Sequence, residues 1–237
     1  SARVVVMASL FQGENLQKSG LAMLVMVLSY VSMLNRTEPA VADGFTMDPA
    51  TGIKFANSVR VDNKKLELQG VGVRTKVVVN VYSAGFYAEQ GPIDRATKPY
   101  AGKPGAKLAG DAGFFKAIQA LGSAKAVLLT FARAVGADKV AEALSAVPGA
   151  NAKSQQELHK CITRNGDLSK GDQLLFSWSK ATDSVAVKSK SETLCTIKDA
   201  DLAKGLLSMY LGGNAVSPKL KAAIASTIAN RMSVAPS

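Results

Sequence analysis

Between residues 71 and 89 the chain runs VGVRTKVVVNVYSAGFYAE. Valine, tyrosine, phenylalanine and threonine dominate this stretch. Such side chains lose rotamer freedom in a helix and pack well on a pleated surface. It reads as two strands or as one long bent strand. Its interior glycines, Gly72 and Gly85, mark a bulge or the close approach of another group. Its one arginine, Arg74, is a charge inside an apolar run, and a buried charge needs a partner.

The elements around it follow from period and punctuation. Residues 53–62 and 65–89 read as strands, and 91–110, with Pro92, Pro99 and Pro104, as loop. Phe114, Phe115, Ile118 and Leu121 recur at helical spacing over 111–121, and 125–133, KAVLLTFAR, reads as a strand. Val140, Ala143, Leu144 and Val147 share one face of a helix over 137–147. Ser154 and Glu157 form a capping-box pattern for a helix ending near 164. Strands follow at 173–180, 183–190 and 192–198. Asp199 then caps a helix carrying Leu202, Leu206, Met209 and Tyr210, which Gly212-Gly213 ends. Ser217-Pro218 supplies an N-cap serine and an N1 proline for the last helix. No βαβ alternation and no repeat appears. The expected class is α+β, with a large, mainly antiparallel sheet.

Composition narrows the chemistry. Lys and Arg exceed Asp and Glu by 29 to 18, a formal charge of +11, which favours acidic partners. The basic residues are scattered, with no dense run and no nucleic-acid motif, so nucleic acid is not an expected partner. His159 is the single histidine, and Cys161 and Cys195 are the only cysteines. They cannot build a tetrahedral zinc site without carboxylates, and no metal or cofactor is expected. The two cysteines are equally compatible with a disulfide and with two buried thiols.

Further residues carry a resemblance. Gly72-Val73-Arg74-Thr75-Lys76 followed by Val81-Tyr82-Ser83-Ala84-Gly85-Phe86-Tyr87 resembles the G-x-G-x-R-x-K…V-Y-x-x-G-x-Y signature of chalcone isomerase-like proteins. Asn80 stands where the bacterial-type members often carry lysine. Leu128-Leu129-Thr130-Phe131 and the helix from Gly136 are similar to the family's central strand and helix. Tyr210-Leu211-Gly212 and Val216-Ser217-Pro218-Lys219-Leu220 are similar to its C-terminal pair. The resemblance covers about residues 53–232. It implies an open-faced β-sandwich, with a helical layer on one face of the sheet and a ligand cleft between the layers.

The resemblance also implies which residues act. Isomerases of the family use an arginine, a threonine on the next strand, and a tyrosine and an asparagine on the following helix. Arg74 matches the first, but Tyr82, Gly136 and Ala143 occupy the other places. No catalytic residues and no isomerase activity are therefore expected. Arg74 with Tyr82 instead resembles the fatty-acid-binding branch. A guanidinium offers a planar fork for a carboxylate, and a phenol adds a donor. The expected ligand is a fatty acid or similar amphipathic carboxylate, with Val77, Val79, Phe114, Phe115, Leu129 and Phe131 lining its chain. An alternative keeps the fold as a scaffold: a structural subunit of a membrane protein complex, such as a photosynthetic one.

Residues 1–42 read as a targeting or anchoring segment, 43–52 as a linker, 53–232 as the domain and 233–237 as a tail. Residues 20–34, GLAMLVMVLSYVSML, carry no charge and suit a signal-peptide core or, if retained, a membrane anchor. Ala40-Val41-Ala42 is an A-x-A cleavage pattern. The expected address is the plastid thylakoid lumen or membrane, with the bacterial periplasm as the competing reading. If cleavage occurs, the mature chain begins at Asp43. N-terminal sequencing and membrane fractionation check this, and a soluble protein with residues 1–42 intact contradicts the reading.

Overall fold

The computed structural model describes residues 44–180, 183–190 and 192–234. The hydrophobic run 20–34 and the 233–237 tail beyond Val234 lie outside them. Among the described residues, seven strands form one antiparallel sheet in the order β3-β4-β5-β6-β7-β8-β9. They are Ser58–Val61, Lys64–Lys76, Val79–Ala88, Lys125–Phe131, Gln173–Trp178, Val185–Ser189 and Glu192–Ile197. Spatial order equals chain order, because short turns or helical excursions connect each strand to its neighbour. β1 (Phe45–Met47) and β2 (Lys54–Ala56) form a separate two-stranded ribbon.

The stretch 71–89 is thus two strands, split at Val77-Val78. Register places Gly70, Gly72 and Arg74 of β4 opposite Phe86, Ala84 and Tyr82 of β5. Tyr82, Ala84 and Phe86 in turn oppose Phe131, Leu129 and Val127 of β6. Residues two apart share a face, so one face of the sheet carries this row, continued by Leu174, Phe176 and Trp178. All of these β5–β7 side chains are buried. Burying each large apolar one contributes about 1.5–3 kcal/mol.

Among the described residues, seven α-helices accompany the sheet: α1 (Gln90–Thr97), α2 (Gly105–Ala109), α3 (Ala112–Gln119), α4 (Ala137–Ser145), α5 (Ala152–Thr163), α6 (Ala200–Leu211) and α7 (Pro218–Val234). Apolar side chains from every one of them join a single core with this sheet face. The other face carries a smaller cluster of Val59, Val61, Leu66, Tyr87, Ala124 and Ala126. The β1–β2 ribbon also touches that face. Phe55 meets Gly85, and Tyr87 Oη donates to the Ala56 carbonyl at 3.0 Å.

The interior glycines are sites of close approach. A methyl group on Gly72 would overlap the Leu220 amide nitrogen, and one on Gly70 would fall 2.7 Å from the Ile224 nitrogen. Helix α7 therefore lies backbone against backbone on β4. Ser217 fixes its first turn, accepting from the Leu220 amide and donating to the Val73 carbonyl at 2.8 Å.

Several expectations need correction. Residues 91–110 are not loop: α1, a 3-10 turn at Lys98–Tyr100 and α2 occupy most of them. Pro92 sits in the first turn of α1, where no intrahelical donor is needed. The 43–52 linker contains β1, and Asp48 behind it is buried, accepting from Ser83 Oγ and Thr51 Oγ1. Asn151, not Ser154, caps α5, accepting from the Lys153 amide. Ala143 points outward, and Ala141 takes its place in the core. Cys161 and Cys195 form a disulfide joining α5 to β9, with Cα atoms 6.0 Å apart.

Replacing Gly72 by alanine is expected to destabilise the protein by about 3 kcal/mol or more, since neither backbone can yield to the added methyl. Gly213→Ala, with open space around it, is the matched control and stays within about 0.5 kcal/mol. Urea titration of both variants measures the difference.

Candidate functional site

Arg74 and Tyr82 face each other directly across β4 and β5. The hairpin needs a register shift between Arg74 and Thr75 to close, yet the shift leaves both side chains on the helix-covered face. Arg74 Nη1 donates to Tyr82 Oη at 3.2 Å, and the guanidinium carbon stands 5.6 Å from the ring centroid. Tyr82 Oη lies 3.2 Å from the hydroxyl of Tyr210 on α6. Tyr82 and Tyr210 are buried, while Arg74 is half-buried.

The electrostatics follow from this chain of donors. Burial opposes the charge on Arg74, but the field and hydrogen bond of Tyr82, with Tyr210 behind it, hold the guanidinium above its ordinary value. Burial, and the Tyr82 hydroxyl beside it, push Tyr210 well above an ordinary phenol. The site is therefore a fixed positive charge beside two phenols. No carboxylate among the described residues lies within 4.0 Å of Arg74. Among the described residues, one of its five N–H donors is used, on the Tyr82 hydroxyl oxygen. Tyr82 accepts from Arg74, so its own proton is free to point to Tyr210 or to an anion. If Tyr82 turns to an anion, Tyr210 can donate to Tyr82 in its place.

The predicted lining residues divide. Leu129 and Phe131 lie on β6, opposite Ala84 and Tyr82, and Tyr82 meets Phe131 edge to face at 5.7 Å. Phe114 and Phe115 come from α3, edge to face at 5.1 Å. Asp111 positions them by capping α3 through the Phe114 amide. All four are fully buried in the same core as Tyr82 and Tyr210. Val77 and Val79 are not in it. The hairpin turn carries Val77 outward to 92% exposure and leaves Val79 at 38%. Gly136 caps α4 and Ala143 faces away from the core, so neither meets the Arg74–Tyr82 pair. Tyr210 was the residue missed as part of the site. Its signal was its place in the Tyr210-Leu211-Gly212 motif.

Phe115 also borders the surface. It walls a cleft of about 450 Å³ with Gln119, Leu211, Gly212, Pro218 and Lys221. The Lys221 amine stands 4.3 Å from the Phe115 centroid and donates to the Gly212 carbonyl at 2.8 Å. Gln119 donates to the Leu211 carbonyl. The two side chains tie the α6–α7 connection to the rest of the helical layer.

The profile described as "Chalcone isomerase-like" matches residues 48–109 and 113–225. The chain belongs to the chalcone isomerase-like family. The matched residues include Arg74, Tyr82 and Tyr210 and all four buried lining residues. Among solved structures, the crystal structure of an Arabidopsis thaliana fatty-acid binding protein is similar, with a TM-score of 0.66 at 17% identity. The likeness covers 79% of this chain and 98% of that one. It shows that the two share a fold. No curated protein matches the chain.

Lys125 is a second buried cation, and it serves the fold. It is fully buried, and its amine donates to the Leu121 and Ser123 carbonyls. Burial lowers its pKa from 10.5 to about 8. Between those values the unfolded chain holds more protons than the native one, so this group's contribution makes stability rise with pH across that window. Relative to Lys125→Met, the wild type is expected to gain about 1–3 kcal/mol between pH 8 and 10.5. Urea melts of both proteins across that range test this, and parallel profiles would contradict it.

Proposed function

We propose that this chalcone isomerase-like protein is a non-catalytic binder of a fatty acid or similar amphipathic carboxylate, held at its head by Arg74 and Tyr82. The observation that carries the reading is the half-buried guanidinium with no carboxylate partner among the described residues. A strand arginine serving the fold alone would be expected to sit against an acid. Here the nearest polar group is a phenol that accepts one bond and keeps a proton to give. A carboxylate placed between them receives charge-assisted bonds from Arg74 and a neutral donor from Tyr82. An acyl chain then follows the apolar row along β6, each methylene contributing about 0.8 kcal/mol before association costs. The Arabidopsis protein is described as fatty-acid binding, which supports the same ligand class on the shared fold.

The non-catalytic part rests on the family's other polar positions, as the sequence resemblance assigns them. Ring closure of a chalcone needs the substrate held in a near-attack geometry and donors aimed at a developing enolate. In the family's threonine, tyrosine and asparagine places stand Tyr82, Gly136 and Ala143. One observation favours a second reading, a scaffold in a membrane protein complex. Phe114, Phe115, Leu129 and Phe131 already pack against one another and their neighbours between the layers, so a ligand chain must displace side chains to lie there.

Calorimetric titration of a fatty acid and the alcohol of equal length separates the readings. The acid is expected to bind more tightly than the alcohol. Arg74→Ala weakens acid binding by about 2–4 kcal/mol and brings acid and alcohol close together. Tyr82→Phe loses about 1 kcal/mol. Equal binding of acid and alcohol to the wild type removes the carboxylate site, and no binding of either favours the scaffold. A chalcone added to the protein keeps its visible absorbance. Rapid stereoselective loss of that absorbance overturns the non-catalytic reading.

A further inference from the structure

Two tight turns in the sheet show opposite chemistry. The β3–β4 turn uses Asp62 and Asn63 at φ 48° and 62°, the short polar residues that tolerate positive φ. The β4–β5 hairpin pairs Lys76 with Val79 and closes on Val77-Val78, with Val77 at φ 59°. A two-residue loop with only its first residue at positive φ is the II′ pattern, which gives that place to glycine. A β-branched residue there is a steric outlier. Strain of this kind is characteristic of segments kept for function.

The strained tip is also bare. Val77 is 92% and Val78 86% exposed. Val79 is partly exposed, and the other exposed large apolar side chains among the described residues are Phe45, Met47 and Val234. Met47 lies close by in the chain's path. It leads into the Asp48 turn, which Ser83 holds and whose Ala50 carbonyl accepts from Asn80 at 3.1 Å.

The surroundings are cationic. From Leu68 to Ala88 the hairpin has no acidic residue and carries Arg74 and Lys76. Besides the Asp48 turn, two segments meet it at the tip end, and neither contains an acid. One is Ala132-Arg133, whose Ala132 amide donates to the Val81 carbonyl at 3.0 Å. The other is the start of α7, held by Ser217 on the Val73 carbonyl and carrying Lys219. Arg133 and Lys219 are both exposed. The carboxylates of the adjoining loops are engaged: Asp48 by Ser83 and Thr51, Asp167 by the Ala137 amide, and Asp172 by Lys190 and the Ser169 amide.

We propose that the Val77-Val78 tip docks the domain on an anionic lipid bilayer, the valines entering the headgroup boundary and Lys76, Arg133 and Lys219 facing the phosphates. A protein groove is the poorer fit. A stable protein interface takes about 800 Å² from each partner, far more than three valines present. A bilayer needs only a few apolar side chains ringed by basic ones. At about 3.3 Å per residue, Arg74 stands roughly 10 Å from the tip, so a docked domain holds its guanidinium near the surface where amphipathic carboxylates reside. The docking does not depend on what Arg74 binds, nor on residues 20–34.

The test uses the full chain with Val78→Cys carrying an environment-sensitive fluorophore, so that the tip itself is read. Lys180→Cys, on the opposite end of the sheet, is the control. Vesicles of phosphatidylcholine are compared with vesicles in which one lipid in three is phosphatidylglycerol. The label at 78 is expected to shift to the blue and brighten several-fold on anionic vesicles, to revert at high salt, and to stay silent at 180. Val77→Asp with Val78→Asp lowers the partition coefficient of the tip at least tenfold. Val77→Gly relieves the turn, raising Tm, and still weakens docking. A silent label at 78 on vesicle-bound protein overturns the proposal, because another segment then does the binding. A label already blue-shifted in the free protein does so too, because the tip is then covered by the chain itself or a second copy. Capture of the tip by a soluble protein, with no response to vesicles, assigns it to a protein partner instead.

Discussion

Helix α7 rests on strand β4 with no side chain between them. At Gly70 and Gly72 the strand has nothing to hold the helix away, so backbone touches backbone. This contact sets the depth of the last helix, and Ser217 sets its starting point by reaching the Val73 carbonyl. The α6–α7 connection must then end beside the C-terminal half of β4. Val216 is pinned there by its bond to the Met209 carbonyl. Tyr210, one residue on, thus comes down over Tyr82. The three-group chain from Arg74 to Tyr210 is a consequence of two missing methyl groups on a strand.

The same contact explains why Arg74 is covered and yet has no carboxylate partner among the described residues. Two residues past Gly72 the strand leaves the shelter of the helix, so the arginine has helix on one side and the open hairpin on the other. A carboxylate in this position would neutralise it and close the site. The sequence places none beside it: from Val71 to Ser83 the hairpin carries no aspartate and no glutamate. A phenol is the compromise that accepts one hydrogen bond without cancelling the charge. Lys125 shows the other solution. Its amine is turned onto main-chain carbonyls and fully enclosed, where it has no donor left facing outward and its charge is disfavoured.

How much of this could be read from the residues depends on the kind of signal. The strands were legible because alternation and β-branching persist over many residues. The partnership of Arg74 and Tyr82 was legible because both sit in one such stretch. The glycines of β4 announced a close approach, though not of which element. Residues 91–110 read as loop from the sequence because Pro92 and Gly105, which stand there at helix starts, break helices elsewhere. The capping box points to Ser154 because only Ser154 has a glutamate three residues on, whereas Asn151 caps with its own side chain alone. Tyr210 could not be assigned to the site from spacing alone, since its approach to Tyr82 spans 128 positions. Val77 reads as a wall residue because period alone cannot tell a strand from the turn that interrupts it.

An open sheet has two ends of its hydrogen-bond ladder, and this one treats them differently. At β3 the strand is four residues long, too short to template much. At β9 the chain instead fastens a helix across the margin, through the Cys161–Cys195 bond and the Arg164 guanidinium on the Leu194 carbonyl. The cover on that margin is covalent, and so it belongs to the solvent's redox state as much as to the fold. Oxidised, the helix is fixed over the Cys195 stretch of the edge strand. Reduced, the Arg164 bond to the Leu194 carbonyl is the side-chain hydrogen bond left between them among the described residues, and the edge is less guarded against strand addition.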